Sequence, residues 1–222
     1  VIHLGPDFER LPQAIVAGLL GLPTATVSDV LGPGHVLAAR VKPLRPGLRV
    51  AGTALTLRMP PTDNLGMHVA VSMARPGDVI VCDHAGGELG APVGDIMAVA
   101  ARVRGVAGIV LDGVVRDIAG LRESGWPVFA IGSHAQQCAK AGPAWIGLPI
   151  ECAGVAVRPG DAILGDDDGV VVIPRERVAG IGAEVVAKQA AEARRIAAIQ
   201  AGDTSPAWLP EAMRRAGIRH HD

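Results

Sequence analysis

Aromatic side chains are nearly missing from this chain: its 222 residues include three Trp, two Phe and no Tyr. Proteins that grip single-stranded nucleic acid stack bases on aromatic platforms, and five rings leave little to stack on. An excess of either charge is missing too. With 21 Lys and Arg against 22 Asp and Glu, the formal net charge of −1 supplies no field for nucleic acid or an anionic membrane. Any anionic ligand must be held locally. Cysteine is scarce, and Cys82, Cys138 and Cys152 are widely spaced, without a CxxC pair or a clustered His. They read as buried thiols in a reducing cytoplasm, not as disulfides, metal ligands or nucleophiles. No apolar run approaches the roughly 18 residues of a membrane span. The opening Val1–Leu22 has no basic start, and Pro6, Pro12 and Pro23 break the region up, unlike a signal peptide. The expectation is a soluble, cytoplasmic protein with no nucleic-acid or membrane partner.

What the chain has is apolar residues, 49% of the total, enough for a full core in one compact domain. The spacing predicts a helix over Phe8–Leu20 and a short one ending at Asp29–Leu31, capped by Thr26 or Ser28. A strand follows at Arg49–Arg58, then a helix over Asn64–Ala74 that Arg75-Pro76-Gly77-Asp78 ends in a turn. From there one grammar repeats. Strand Val79–Asp83 leads through the glycine-rich loop Gly86–Gly94 to helix Asp95–Arg104, and strand Gly108–Asp112 leads to a helix near Asp117–Ser124, with strand Pro127–Ile131 next. Such alternation implies parallel βα units, whose ligands gather at the carboxyl ends of the strands. Between Ala144 and Ile173 the runs become short and closely spaced, separated by Arg158-Pro159-Gly160-Asp161 and Asp166-Asp167-Asp168-Gly169, as in an antiparallel part. The fold class is therefore α/β, a layered sandwich with mixed sheets. Arg175–Ala201 is rich in Ala, Glu, Lys and Arg and predicts a long C-terminal helix, stopped by Gly202. The division expected is a core at 1–174 and, at 175–222, a helix and tail that contact a neighbouring subunit.

Chemistry concentrates in Gly94–Asp117, where two strand-to-helix junctions bring polar residues to one sheet edge. Gly94, Asp95, Ile96 and Met97 start a helix, where free backbone N–H groups and the dipole favour a carboxylate. Arg116 adds a bidentate cation for that carboxylate, and Asp117 is a hard oxygen donor suited to Mg²⁺ or Mn²⁺. Taken singly, Asp95 and Asp117 also read as ordinary helix-start acids, and Arg116–Asp117 as a surface pair. Taken together they read better as a site. His84, in the loop before that pocket, reads either as a substrate contact or as a solvated or hydrogen-bonded residue. Asp166, Asp167 and Asp168 read as a structural turn rather than a metal cluster. The pair His220–His221 reads as a fortuitous metal binder at most.

An ordered set of segments carries a resemblance: TATVSDVLG at 24–32, AGTALTL at 51–57, RPGDVIVCD at 75–83, GDIMAVAA at 94–101, LDGVVRD at 111–117, PVFAIG at 127–132 and PGDAILGDDDGVVVIP at 159–174. In these the chain resembles the 4-hydroxy-4-methyl-2-oxoglutarate aldolases and the related regulator of ribonuclease activity A, RraA. The resemblance implies a swivelling β/β/α-like sandwich and a metal-dependent lyase that releases pyruvate and also decarboxylates oxaloacetate. It further implies that the backbone of Gly94–Met97 binds the 2-oxo acid carboxylate, that Arg116 clamps the substrate, and that Asp117 is the direct protein ligand of the metal. Asp95 would orient or deprotonate a metal-bound water that shuttles the proton. Ring-shaped homo-oligomers, trimers or hexamers, are implied as well, with a carboxylate donated across the interface. Glu192 is the first candidate for that group, its alternative being a surface partner for Arg195. The same resemblance allows a non-enzymatic regulator that binds a ribonuclease. A methyltransferase reading lacks a glycine-rich nucleotide loop with an acidic ribose partner.

Overall fold

The computed structural model describes residues 1–219. In chain order its elements are β1 (Ile2–Leu4), α1 (Gln13–Leu20), α2 (Thr24–Leu31), β2 (Lys42–Pro43), β3 (Val50–Arg58), α3 (Leu65–Met73), β4 (Asp78–Gly87), α4 (Asp95–Val103), β5 (Gly108–Val115), α5 (Ile118–Ser124) and β6 (Val128–Ala130). The remainder runs β7 (Gly132–Ser133), β8 (Ala144–Ile146), β9 (Ile150–Cys152), β10 (Val155–Val157), β11 (Ala162–Asp166), β12 (Gly169–Ile173), α6 (Val178–Gln200) and α7 (Leu209–Ala216).

Strands β3, β4, β5 and β6 pair in parallel, and α3, α4 and α5 are the crossovers between them. Parallel pairing needs such crossovers, and the nearly unbroken apolar runs of β4 and β5 suit strands covered on both faces. The α3–α5 side of the sheet buries Leu57, Met67, Ile80, Leu111 and Val115 in one cluster; the other side buries Val79, Val81, Val110, Phe129, Ile163 and Val172 in a second. Strand β11 pairs antiparallel with both β3 and β12, and β9 with β10, so the short runs after Ala144 are mostly hairpins. Strand β8 differs, running parallel to β1 and antiparallel to β3. A third cluster joins β11 and β12 to Leu19, Val27 and the first half of α6, through Val178, Ile181 and Val185. The fold is a mixed α/β one with a long C-terminal helix, as expected.

Local expectations shift where proline decides. A proline disfavours the helical region for the residue just before it, here Leu11; Phe8–Leu11 lies outside any helix and α1 begins only after Pro12. The Leu11 amide goes instead to Thr53 Oγ1 at 2.9 Å. Likewise α2 starts directly after Pro23, which places Thr26 and Ser28 inside it and removes both as caps. The first residue, Thr24, is tied by its amide and hydroxyl to Asp166, at 3.0 and 2.5 Å. No single helix among the described residues is long and apolar enough to cross a membrane.

Candidate active site

Strands β4 and β5 end side by side and lead into α4 and α5. An isolated parallel bridge joins Val93 to Val115, and the Arg116 amide donates to Val93 O at 2.9 Å. This pins the chain entering α4 against the chain entering α5. A Cβ at Gly94 would lie 2.4 Å from Asp117 Oδ2 and 2.9 Å from Arg116 Cγ, so only glycine permits the approach. Asp117 itself has φ 55° and ψ 38°, the left-handed region that non-glycine residues rarely enter. It precedes α5, which starts at Ile118 rather than at Asp117. Such backbone strain costs on the order of 1–3 kcal/mol and is typical of functional positions.

That conformation turns the Asp117 carboxylate toward the start of α4. Its Oδ2 accepts from the Asp95 amide at 3.4 Å and lies 3.5 Å from Arg116 Nε, while Asp95 Oδ1 accepts from the Ile96 amide at 2.6 Å. Two carboxylates thus sit at the amide end of a helix, where the dipole favours negative charge. Arg116 and Asp117 keep 38% and 37% of their side-chain exposure, so a ligand can reach both. A cavity of about 430 Å³ opens over them and is lined by Gly94, Asp95, Ile96, Met97, Arg116 and Asp117 together. Six of the seven expected site residues therefore share one cavity.

The seventh, Glu192, lies on α6, which packs against α1 and α2, and it does not line this cavity within the chain. Nor does it pair with Arg195. Lys188 Nζ is 3.8 Å from Glu192, while Arg195 reaches Asp203 at 2.8 Å, because the chain turns back at Gly202. Among the other lining residues, the sequence reading gave no role to Asn64 and His68 at the start of α3, or to Gln137 and Lys140 in the loop after β7. The bridge Asp63↔Ala139 brings that loop in, a pairing across 76 positions that no local pattern announces.

His84 is neither solvated nor at the cavity. Strand β4 runs past it with a bulge, and the ring is fully buried beside Gly87 and Gly113, where an added Cβ would come 3.1 and 2.8 Å from Nδ1. Neither ring nitrogen has a hydrogen-bond partner of normal geometry among the described residues. Burial pushes its pKa down, opposed only in part by the nearby carbonyls of Asp63 and Pro60. On the other face of the sheet, Arg40 grips buried Asp112 with bonds of 2.9 and 2.8 Å. Its neighbour Asp83 has its pKa raised, mainly by burial and further by Asp112. The acids 166–168 belong to the β11–β12 hairpin: Asp166, the last residue of β11, holds Thr24, and Asp167, in the turn, accepts from the Gly47 amide at 2.9 Å. All three cysteines are buried and free, and burial raises the pKa of each thiol. The pair His220–His221 lies outside the described residues.

With this geometry in view, the likeness to known proteins is specific. Residues 24–172 match the family model RraA-like, described as Aldolase/RraA. A protein of Halalkalibacterium halodurans named "Putative 4-hydroxy-4-methyl-2-oxoglutarate aldolase" is 39% identical over 178 residues, covering 80% of this chain and 85% of that protein. The structure of Streptomyces coelicolor RraAS2, titled an unusual member of the RNase ES inhibitor RraA protein family, superposes with a TM-score of 0.77 at 28% identity. That match covers 85% of this chain and 99% of that one. The RNA-processing inhibitor RraA from Thermus thermophilis matches with a TM-score of 0.63 at 32% identity, over 68% of this chain and 92% of that one.

Proposed function

Because the chain belongs to the RraA-like (Aldolase/RraA) family, we propose that it is a divalent-metal-dependent class II aldolase. On this reading it cleaves 4-hydroxy-4-methyl-2-oxoglutarate, or a similar 4-hydroxy-2-oxo acid, to pyruvate and decarboxylates oxaloacetate. The observation that carries the reading is Asp117, held in a strained conformation against the helix start Gly94-Asp95 with Arg116 in the same cavity. An ordinary helix-start acid has no reason to bear that strain.

The residues present fit a hard cation. Mg²⁺ is bound by one or two carboxylates and keeps several waters, and Asp117, with Asp95 beside it, supplies such a donor set. Among the described residues no group of three His, Cys, Asp or Glu is placed to hold a metal, so the remaining positions fall to water and substrate oxygens. Mg²⁺ or Mn²⁺ would supply Lewis-acid stabilisation of the charge that develops on the 2-oxo group.

Arg116 and the Met97 amide, in the first turn of α4, hold the substrate carboxylate, fixing the 2-oxo group beside Asp117. Asp95 takes the C4 hydroxyl proton through a water. As that O–H bond breaks, the C4 carbonyl forms, the C3–C4 bond breaks, and its electron pair becomes the pyruvate enolate. Return of a proton to C3 completes pyruvate. Oxaloacetate loses CO₂ from the same bond and yields the same enolate with no hydroxyl proton to remove. The working unit on this reading is a cytoplasmic homo-oligomer, a trimer or hexamer.

The test is pyruvate release from 4-hydroxy-4-methyl-2-oxoglutarate and from oxaloacetate, with Mg²⁺, with Mn²⁺ and with chelator. Release from both that chelator abolishes is expected; no release from either in the presence of metal would sink the reading. A second reading, a non-enzymatic inhibitor of a ribonuclease, draws on the titles of the two RraA structures. It leaves the strain at Asp117 unexplained.

A further inference from the structure

The aldolase reading gives work to Arg116, Asp95 and Asp117 but none to the part of the cavity wall formed by Asn64, His68 and Lys140. Asn64 and His68 stand four residues apart at the start of α3 and so share one helix face. Lys140 is brought beside them because the Asn64 amide donates to Ala139 O at 2.9 Å. Asn64 Nδ2 donates to Pro92 O at 3.5 Å, which fixes the orientation of the side-chain amide. Its Oδ1 is then left buried at the cavity with no partner among the described residues. A buried acceptor without a donor is costly, and an orphan of this kind points to a partner that arrives with the ligand. Lys140 is a cation without a commitment, since it enters none of the ion pairs among the described residues. It also lies close enough to His68 that its charge, after burial, helps to lower the His68 pKa.

We propose that Lys140 determines specificity by holding a second acidic group of the substrate, with its ammonium aligned by one hydrogen bond to Asn64 Oδ1 and flanked by His68. An ammonium has three protons to give, so one can satisfy Asn64 while the others meet a carboxylate. Arg116 and the α4 amides take the carboxylate next to the 2-oxo group; Lys140 takes the one at the other end. Asn64 is a positioning residue in this scheme, since it touches Lys140 rather than the substrate. The proposal rests on the aldolase reading for the placement of the first carboxylate.

Binding separates it from catalysis. Calorimetry in Mg²⁺ compares 2-oxoglutarate with 2-oxopentanoate, which has the same chain length, lacks the second carboxylate and, like 2-oxoglutarate, has no 4-hydroxyl to allow cleavage. The full-length protein is expected to bind 2-oxoglutarate about tenfold or more tightly, as a close charge pair in a partly desolvated site allows. Lys140→Met should bring the two affinities together, Lys140→Arg should restore part of the difference, and Asn64→Ala should shrink it with little change for 2-oxopentanoate. Equal affinities in the unaltered protein, failure to bind either acid, or a difference that survives Lys140→Met would overturn the proposal. Pyruvate release from 4-hydroxy-4-methyl-2-oxoglutarate, measured on the same preparations, keeps the two ideas apart. Discrimination without pyruvate release leaves the subsite standing and removes the aldolase; release without discrimination does the reverse.

Discussion

Asp117 joins two jobs in one side chain, because its left-handed backbone is also what aims its carboxylate. Asparagine tolerates that backbone nearly as well, so Asp117→Asn should fold while losing the anionic charge at the cation. Pyruvate release should fall by a factor of about 10² or more. Normal turnover of the purified variant at low Mg²⁺ would remove Asp117 as ligand. Asp95 and Arg116 separate by kinetics. Asp95→Asn should lower kcat for aldol cleavage more than for oxaloacetate decarboxylation, since only cleavage needs a base, and equal losses would exclude the base role. Arg116→Lys keeps the charge but loses the planar fork, so KM should rise. His84 matters to stability instead. Its pKa is lowered on folding by burial, so the unfolded chain binds the extra proton first. Stability from this residue is complete above about pH 6.5 and is lost as the pH falls from there through the lower folded value. Urea unfolding from pH 8 to pH 5 should show that decline, and His84→Asn should flatten it; an unchanged slope would refute the assignment.

Single elements show why the site stands where it does. The turn Arg-Pro-Gly-Asp occurs twice, and each time the Asp carboxylate accepts from the Arg amide, at 2.9 Å for Arg75–Asp78 and 2.8 Å for Arg158–Asp161. Proline at the second position and glycine with φ of 85° and 93° at the third are what such a turn requires, so both were legible from four letters each. The α4 and α5 junctions were legible only in part. Their helix starts follow from the strand–glycine–helix pattern, but the contact between them depends on the Val93↔Val115 bridge. Gly94→Ala tests that contact. The added methyl meets Asp117 Oδ2 and Arg116 Cγ, and overpacking of this kind costs about 1–3 kcal/mol. The melting temperature should drop by a few degrees, and the displaced carboxylate should cost activity about tenfold or more. A variant that keeps full activity would mean the close approach is incidental.

At the scale of the whole molecule, α6 is the element the chain does not use up. Val178, Ile181 and Val185 are buried against β11, β12 and the first helices, whereas Val186, Ile196 and Ile199 further along are exposed. Trp208, just before α7, and Met213 within it are exposed as well, as are Ile96, Val99 and Val103 on α4, of which Ile96 lines the cavity. Exposed apolar faces are candidate contact sites, and the oligomer proposed above would use them. If Glu192 is the group donated, mixing two inactive variants, Asp117→Asn and Glu192→Gln, should return part of the activity, since some interfaces regain both intact groups. No recovery after confirmed subunit exchange would place Glu192 outside the site.

What the sequence determined by itself is what short-range rules encode: parallel βα units from strand–glycine–helix alternation, turns from Pro-Gly, a long helix from composition, and an acid–arginine pair at a strand end. Proline set limits even there: α1 and α2 each begin directly after one, at Gln13 and Thr24, because its fixed φ suits the entry to a helix while the residue before it is kept out of the helical region. What only the tertiary structure decided depends on distant chain segments meeting. The loop carrying Lys140 reaches Asn64 through a bridge spanning 76 positions, and His84 is buried because β4 continues past it with a bulge. The cavity takes its shape from those encounters. Local spacing could nominate Asp95, Arg116 and Asp117, but not the wall that Asn64, His68 and Lys140 form beside them.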